Sequence, residues 1–458
     1  MANMDEVYNV VKGSGSELKK RFLFTLMMLA VYRLGVFVST PGVNVSLLRS
    51  RLGFGENGGG DGTVFGLINM FSGGSFENFS IFTLGIMPYI SVSIIIQFMT
   101  PLFPSLNELK KQGEAGRRII TRWTRQGTVV LALIQSFMIA IGLQRSGLVL
   151  NPGPSFVFLT MVTLTAGTAF IMWLGEQITE KGVGNGISII IFAGIVARMP
   201  QVFGQTVELA KGAVNPLIVC LAILFCIATF FLIVFVERSA RKIPVQYPRR
   251  MVNSTMATQK QVQYMPVKLN MSGVIPPIFA SSILVIPATI AGFTTNETIR
   301  NFLLNYLNPS NFWYNVVFAL LIFVFCYYAT AMMFNPEEIA ENMQKNGGFI
   351  PTVRPGKETA DFFFDVLNKL TFWGGIYIVI ICILPRLVYS KFGLDSFSYV
   401  FGGTSILIVV GVILDTMNQI QSILVSRNYE DFMTKASRSK AGISGAFGGH
   451  KGGKIFHR

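Results

Sequence analysis

Histidine is almost missing from this chain: only His450 and His457 occur, both near the C-terminus. Histidine-based catalysis or metal ligation in the body of the protein is thereby excluded. Charge is scarce as well. Asp, Glu, Lys and Arg make up 13% of residues, where a soluble domain carries about 25%. The four cysteines, Cys220, Cys226, Cys326 and Cys382, all lie inside apolar runs, and no two have metal-ligand spacing. They read as small packing residues rather than a disulfide framework. No His-Glu-x-x-His, Gly-x-Ser-x-Gly or Walker loop is present. The chain is therefore read as a non-enzyme that needs no cofactor. The glycine-rich "GEQITEKGVGNGIS" (175–188) follows an apolar run and lacks the Gly-Lys-Ser/Thr end of a phosphate loop, so it reads as a tight turn.

What fills the chain instead is apolar: 51% of its 458 residues are hydrophobic, 40 of them Phe, and the mean hydropathy is +0.53. Apolar runs long enough to span a bilayer occur at about 22–38, 79–100, 126–143, 156–174, 186–204, 215–236, 273–293, 312–334, 372–390 and 398–419. Lipid cannot satisfy an open backbone, so each run is expected to be a helix. Ten spans make a polytopic membrane protein. No cleavable signal is expected, because "MANMDEVYNVVKG" is polar and acidic before the first run.

Lys and Arg set the orientation. With the N-terminal segment inside, 29 of the 38 fall on the inner side, eight on the other, and Arg33 lies in the first run. Both termini are thus expected in the cytoplasm, and much of the net charge of +15 is this topology signal. Two inner loops, 237–270 and 335–371, are longer than a turn needs. Their basic residues suit an acidic partner, nucleic acid or lipid headgroups. Ten spans divide into 22–204 and 215–419, five each, flanked by cytoplasmic segments 1–21 and 420–458. Two halves with an odd number of spans have opposite orientation, as in an inverted repeat. The tail, "ASRSKAGISGAFGGHKGGKIFHR", is basic and glycine-rich and is expected to be disordered.

Ionisable residues deep in the spans are few. Arg33 and Asp415 are the clearest, and Asp415 is read as lying near a helix end. That scarcity argues against ion-coupled transport but not against a passive path closed by an apolar constriction. The second run, "TLGIMPYISVSIIIQFM" (83–99), has Pro88, Ser91, Ser93 and Gln97. The seventh has Pro276, Pro277 and Pro287 with Ser281 and Ser282. Two spans both kinked and polar suggest a seam that moves. Ahead of the second run, "TVFGLINMFSGGSFENFS" (63–80) starts as an apolar helix and stops at Gly73–Gly74. From residue 64 to 72 it would be only about 13 Å long.

Five blocks carry a resemblance: "NMFSGGSFENFSIFTLGIMPYISVSIIIQ" (69–97), "MWLGEQITEKGVGNGISIIIFAGIVA" (172–197), "NMSGVIPPIFASS" (270–282), "FNPEEIAENMQKNGGFIPTVRPG" (334–356) and "YVFGGTSILIVV" (399–410). In order, from about residue 15 to about 435, the chain resembles the SecY family of bacterial protein-translocation channel subunits. The resemblance implies an all-α fold of ten helices, two inverted five-helix halves around an hourglass pore. Ile86, Ile90, Ile191, Ile278 and Ile408 would form the apolar pore ring. Val64, Phe65, Leu67, Ile68, Met70 and Phe71, tethered by Gly73 and Gly74, would form a plug helix at about 64–72. Ser91, Ser93, Gln97, Ser281 and Ser282 would line a lateral gate where signal sequences enter. Its polarity would set how hydrophobic a signal must be.

The same resemblance implies partners: SecE and SecG subunits, the SecA ATPase, the ribosome, preprotein signal sequences and the lipid bilayer. Arg249, Arg250, Arg354 and Lys357 on the two long loops would dock SecA or the ribosome, in a plasma (inner) membrane. The alternative open from composition is a secondary transporter of a small solute.

Overall fold

The computed structural model describes residues 4–51, 66, 69–70, 72–212, 215–246, 262–293, 311–351, 353–392, 397 and 400–447. Its helices are α1 (Met4–Val36), α2 (Val45–Arg51), α3 (Met87–Leu102), α4 (Pro104–Lys111), α5 (Glu114–Arg145), α6 (Pro154–Lys181), α7 (Gly186–Gly212) and α8 (Pro216–Arg238). Strands β1 (Ala240–Gln246) and β2 (Val262–Lys268) follow. The rest is helical: α9 (Ile275–Phe293), α10 (Phe312–Met333), α11 (Pro336–Lys345), α12 (Lys357–Lys391) and α13 (Gly403–Phe447).

Seven of these, α5, α6, α7, α8, α10, α12 and α13, contain segments long and apolar enough to cross a membrane, and α3 with α4 makes an eighth if that bent pair counts as one span. The 23 residues of α8 reach about 35 Å, enough for a hydrocarbon core of about 30 Å. The remaining two apolar runs of the sequence lie on α1 and α9. A multi-pass, predominantly helical fold results.

Helices α1, α3, α5, α6 and α7 pack as one group, and α8, α9, α10, α12 and α13 as another. The groups meet on two sides. On one, α9 packs against α3 and α5; on the other, α7 packs against α8 and α13. The glycine-rich stretch between Lys181 and Gly186 is the short link joining α6 to α7.

The second span begins later than its apolar run. Residues 79–86 form turns, and the helix starts at Met87. The backbone there is already engaged: Phe79 accepts from Thr40 N–H at 2.8 Å, and Ile81 N–H donates to Val38 at 3.0 Å. Gly85, at φ +55°, holds a left-handed conformation no right-handed helix contains. At its other end α3 breaks into α4 with a bend of 105°. Phe103 precedes Pro104 and is extended, at φ −108° and ψ 115°, as the steric demand of the following proline ring requires.

The described parts of the long loops 237–270 and 335–371 are structured, and they bring a small sheet into a fold whose described residues are otherwise mostly helical. β1 and β2 pair antiparallel, from Ala240 opposite Lys268 to Gln246 opposite Val262. Gln246 also exchanges two backbone bonds of 2.9 Å with Phe349, tying the first loop to the second. Ile243, Val245, Val267, Met343, Ile350 and Phe363 close a core of their own. The tail differs from expectation too. α13 continues to Phe447, because extending an existing helix is far easier than starting one. Asp415 consequently lies within a continuous helix, not near its end.

Candidate functional site

Ile86 caps the start of α3 and Ile90 sits one turn in; Ile191, Ile278 and Ile408 come from α7, α9 and α13. Both helix groups therefore contribute. Ile86, Ile90, Ile191 and Ile408 are buried, and Ile278 is half-buried. All five belong to one apolar cluster. Met70 is buried in the same cluster, with its Sδ 3.0 Å from Ser405 Oγ on α13.

Of the expected plug, Gly66, Asn69 and Met70 are helical. Val64, Phe65, Leu67, Ile68 and Phe71 lie outside the described residues, as does the glycine-rich stretch 53–62. The segment that follows is held closely. Tyr32 donates its hydroxyl to the Ser72 carbonyl at 3.1 Å, and Arg33 donates Nη1 to the Gly73 carbonyl at 2.8 Å. The ionisable residue isolated in the first span thus serves as an anchor. Gly73 stands at φ +66°, and a Cβ there would come within 2.8 Å of the Gly194 Cα on α7. Asn69 accepts the Gly74 N–H through its carbonyl and the Glu77 N–H through its Oδ1. Glu77 faces Arg49 at 3.7 Å and the buried Arg198 at 3.8 Å, while Arg49 also donates to Asn78.

The residues assigned to the seam lie on α3 and α9, which pack against each other. Ser281 and Ser282 both turn their hydroxyls to the Ile278 carbonyl, at 2.9 and 2.8 Å. Gln97 donates Nε2 to Ser93 Oγ at 3.1 Å, and Ser91 is buried. Much of this polarity is therefore satisfied locally. The contacts that bridge the groups are aromatic, and the sequence reading missed them. Phe98 of α3 stacks on Tyr328 of α10 at 4.0 Å and meets Phe325 edge-on at 5.5 Å, and within the second group Phe279 of α9 backs Phe325 at 6.0 Å. Such pairs contribute about 0.5–1.5 kcal/mol each beyond simple burial. Tyr328 also donates its hydroxyl to the Gln97 carbonyl at 2.6 Å.

On the module built around β1, β2 and α11, Arg354 is exposed, with Glu358 4.0 Å away. Its carbonyl accepts Thr359 Oγ1 at 2.8 Å, which fixes the backbone while leaving the guanidinium accessible. Lys357 opens α12. Arg249 and Arg250 lie outside the described residues. On α11, Lys345 bonds Glu341 at 2.7 Å and holds that exposed carboxyl below the usual carboxylate range.

Comparison with known proteins gives a consistent set of matches. The SecY family model matches residues 80–417. Protein translocase subunit SecY of Escherichia coli (strain K12) is 45% identical over 438 residues, covering 94% of this chain and 97% of that one. Its counterpart in Pseudomonas aeruginosa is 43% identical over 441 residues, covering 95% and 98%. Three solved structures share the fold. One is of a protein conducting channel, with TM-score 0.64 and 15% identity over 90% of this chain and 93% of that one. A second concerns a SecY plug domain that stabilises the closed state, with TM-score 0.60 and 16% identity over the same shares. The third is Sec61 in a canine ribosome-channel complex, with TM-score 0.58 and 14% identity over the same shares.

Proposed function

The chain belongs to the SecY family of protein translocase subunits, and on that footing we propose how its residues make a protein-conducting channel. The waist is the apolar cluster of Ile86, Ile90, Ile191, Ile278 and Ile408. Branched aliphatic side chains exclude ions by dewetting, yet yield around a passing polypeptide. The plug is the helix at about 64–72, seated by Met70 against that waist. Its short length lets it leave. The observation that carries this reading most is Met70, buried among isoleucines from both helix groups and beside Ser405.

The seam between α3 and α5 on one side and α9 and α10 on the other is the lateral gate, where a signal sequence enters. Residues 22–204 and 215–419 act as two halves that part along it. The inner module built from 237–270 and 335–371 is the docking surface, with Arg354 as its principal contact and Lys357, Arg249 and Arg250 beside it. A guanidinium fork suits phosphates or carboxylates, so ribosomal RNA and the SecA motor both fit. The canine neighbour's ribosome complex supports the first. SecE and SecG complete the assembly in the inner membrane. Both termini face the cytoplasm, as the Lys and Arg bias indicates. A small-solute transporter has no support from the relatives or the structural neighbours.

The test is reconstitution into liposomes with SecE, SecG, SecA and ATP. Preprotein should become protected from added protease in an ATP-dependent way. Correctly inserted channel that protects none would overturn the proposal.

A further inference from the structure

The bond from Tyr328 to Gln97 has a cause in the covalent chain. In an α-helix the carbonyl of residue 97 accepts from the N–H of residue 101. Residue 101 is Pro101, inside α3, and it has no N–H. Its ring also pushes against the carbonyl four residues back, tilting it off the helix axis. Gln97 thus presents an outward carbonyl that its own helix does not satisfy. Tyr328, 231 residues away in the chain, supplies the donor at 2.6 Å. Both partners stand five residues before the end of their helix, α3 ending at Leu102 and α10 at Met333. The stack of Phe98 on Tyr328 holds the ring in place.

We propose that Tyr328 is the latch of the lateral gate and sets its signal threshold: its hydroxyl closes the seam on a carbonyl that Pro101 keeps free. The inference rests on the reading of α3 and α10 as gate helices. A signal helix that enters between them must break this bond and slide Phe98 off the ring. A strongly apolar signal replaces the lost contacts by burying its own side chains; a weak one does not. Tyr328 is a positioning residue, and its effect is on the closed gate rather than on transport itself.

Four variants test this in proteoliposomes. Tyr328→Phe keeps the ring and removes the hydroxyl. It should raise translocation of a preprotein with a weakened signal by about fivefold, the shift that one net hydrogen bond commands. A strong-signal preprotein should move at the wild-type rate. Pro101→Ala gives Gln97 an N–H within its own helix, so it should release the latch equally, and Tyr328→Phe added to it should change nothing further. No gain in Tyr328→Phe, or full additivity of the pair, overturns the latch. A fourth channel, with its native cysteines replaced and Cys introduced at 98 and 328, is joined by a short thiol cross-linker. Transport through that clamped channel would refute the gate reading itself. A clamp that blocks transport, together with an unresponsive Tyr328→Phe, would refute only the latch.

Discussion

Single residues hold the segment before α3 in place by short contacts to backbone as well as by the ion pairs of Glu77. Gly73 is the clearest. Its positive φ and its approach to Gly194 leave no space for a methyl group. Gly73→Ala should displace the carbonyl that Arg33 binds and loosen the plug. Ion leak through the resting channel, read as conductance in a planar bilayer, is expected to rise several-fold. Arg33→Met should act in the same direction, because it removes the 2.8 Å bond to the same carbonyl. A leak unchanged in both would mean that this anchor has no part in sealing. Arg354 stands at the other extreme of exposure. Arg354→Glu should abolish SecA-driven transport while the channel still inserts and keeps its seal. Normal transport by that variant would remove Arg354 from the docking surface.

On the proposed reading, sealing and docking fall to different elements. Deleting 64–72 should raise ion leak if that helix is a plug, whereas an interfacial helix lying on lipid could go without effect on conductance. The module of β1, β2 and α11 depends on its own core, in which Ile243 is almost fully buried. Ile243→Ala removes three carbons from that core and should destabilise it by about 2–5 kcal/mol. Limited proteolysis should then cut the module faster, and SecA-driven transport should fall, with resting conductance unchanged. Helices were the most legible elements, since every apolar run falls on one. Their ends were less so. Nothing in the apolarity of 79–86 reveals that its backbone already pairs with residues 38–40. The strands were hidden for a related reason: β1 and β2 each carry a proline, Pro244 and Pro266, which argues against a strand, and they are held by a partner loop more than eighty residues on, at Phe349.

At the scale of the whole molecule, the site is made by contacts between residues far apart in sequence. Met70 and Ser405 are 335 residues apart, Gln97 and Tyr328 231. Periodicity shows that Ile408 lies on a helix but not which way it faces, because lipid and pore waist select the same side chain. Only the family resemblance singled out the five isoleucines, and even that left Phe98 and Tyr328 unmarked. The signal that could have found them was Pro101, four residues beyond a carbonyl it cannot satisfy. The central claim is that a polypeptide passes through this isoleucine waist. It is tested most directly by arresting a preprotein midway and placing a photo-cross-linking side chain either at Ile408 or at the outward-facing Leu224. The account predicts ATP-dependent cross-links to the mature part of the preprotein from position 408 and none from 224. Cross-links from both, or from 224 alone, would contradict it.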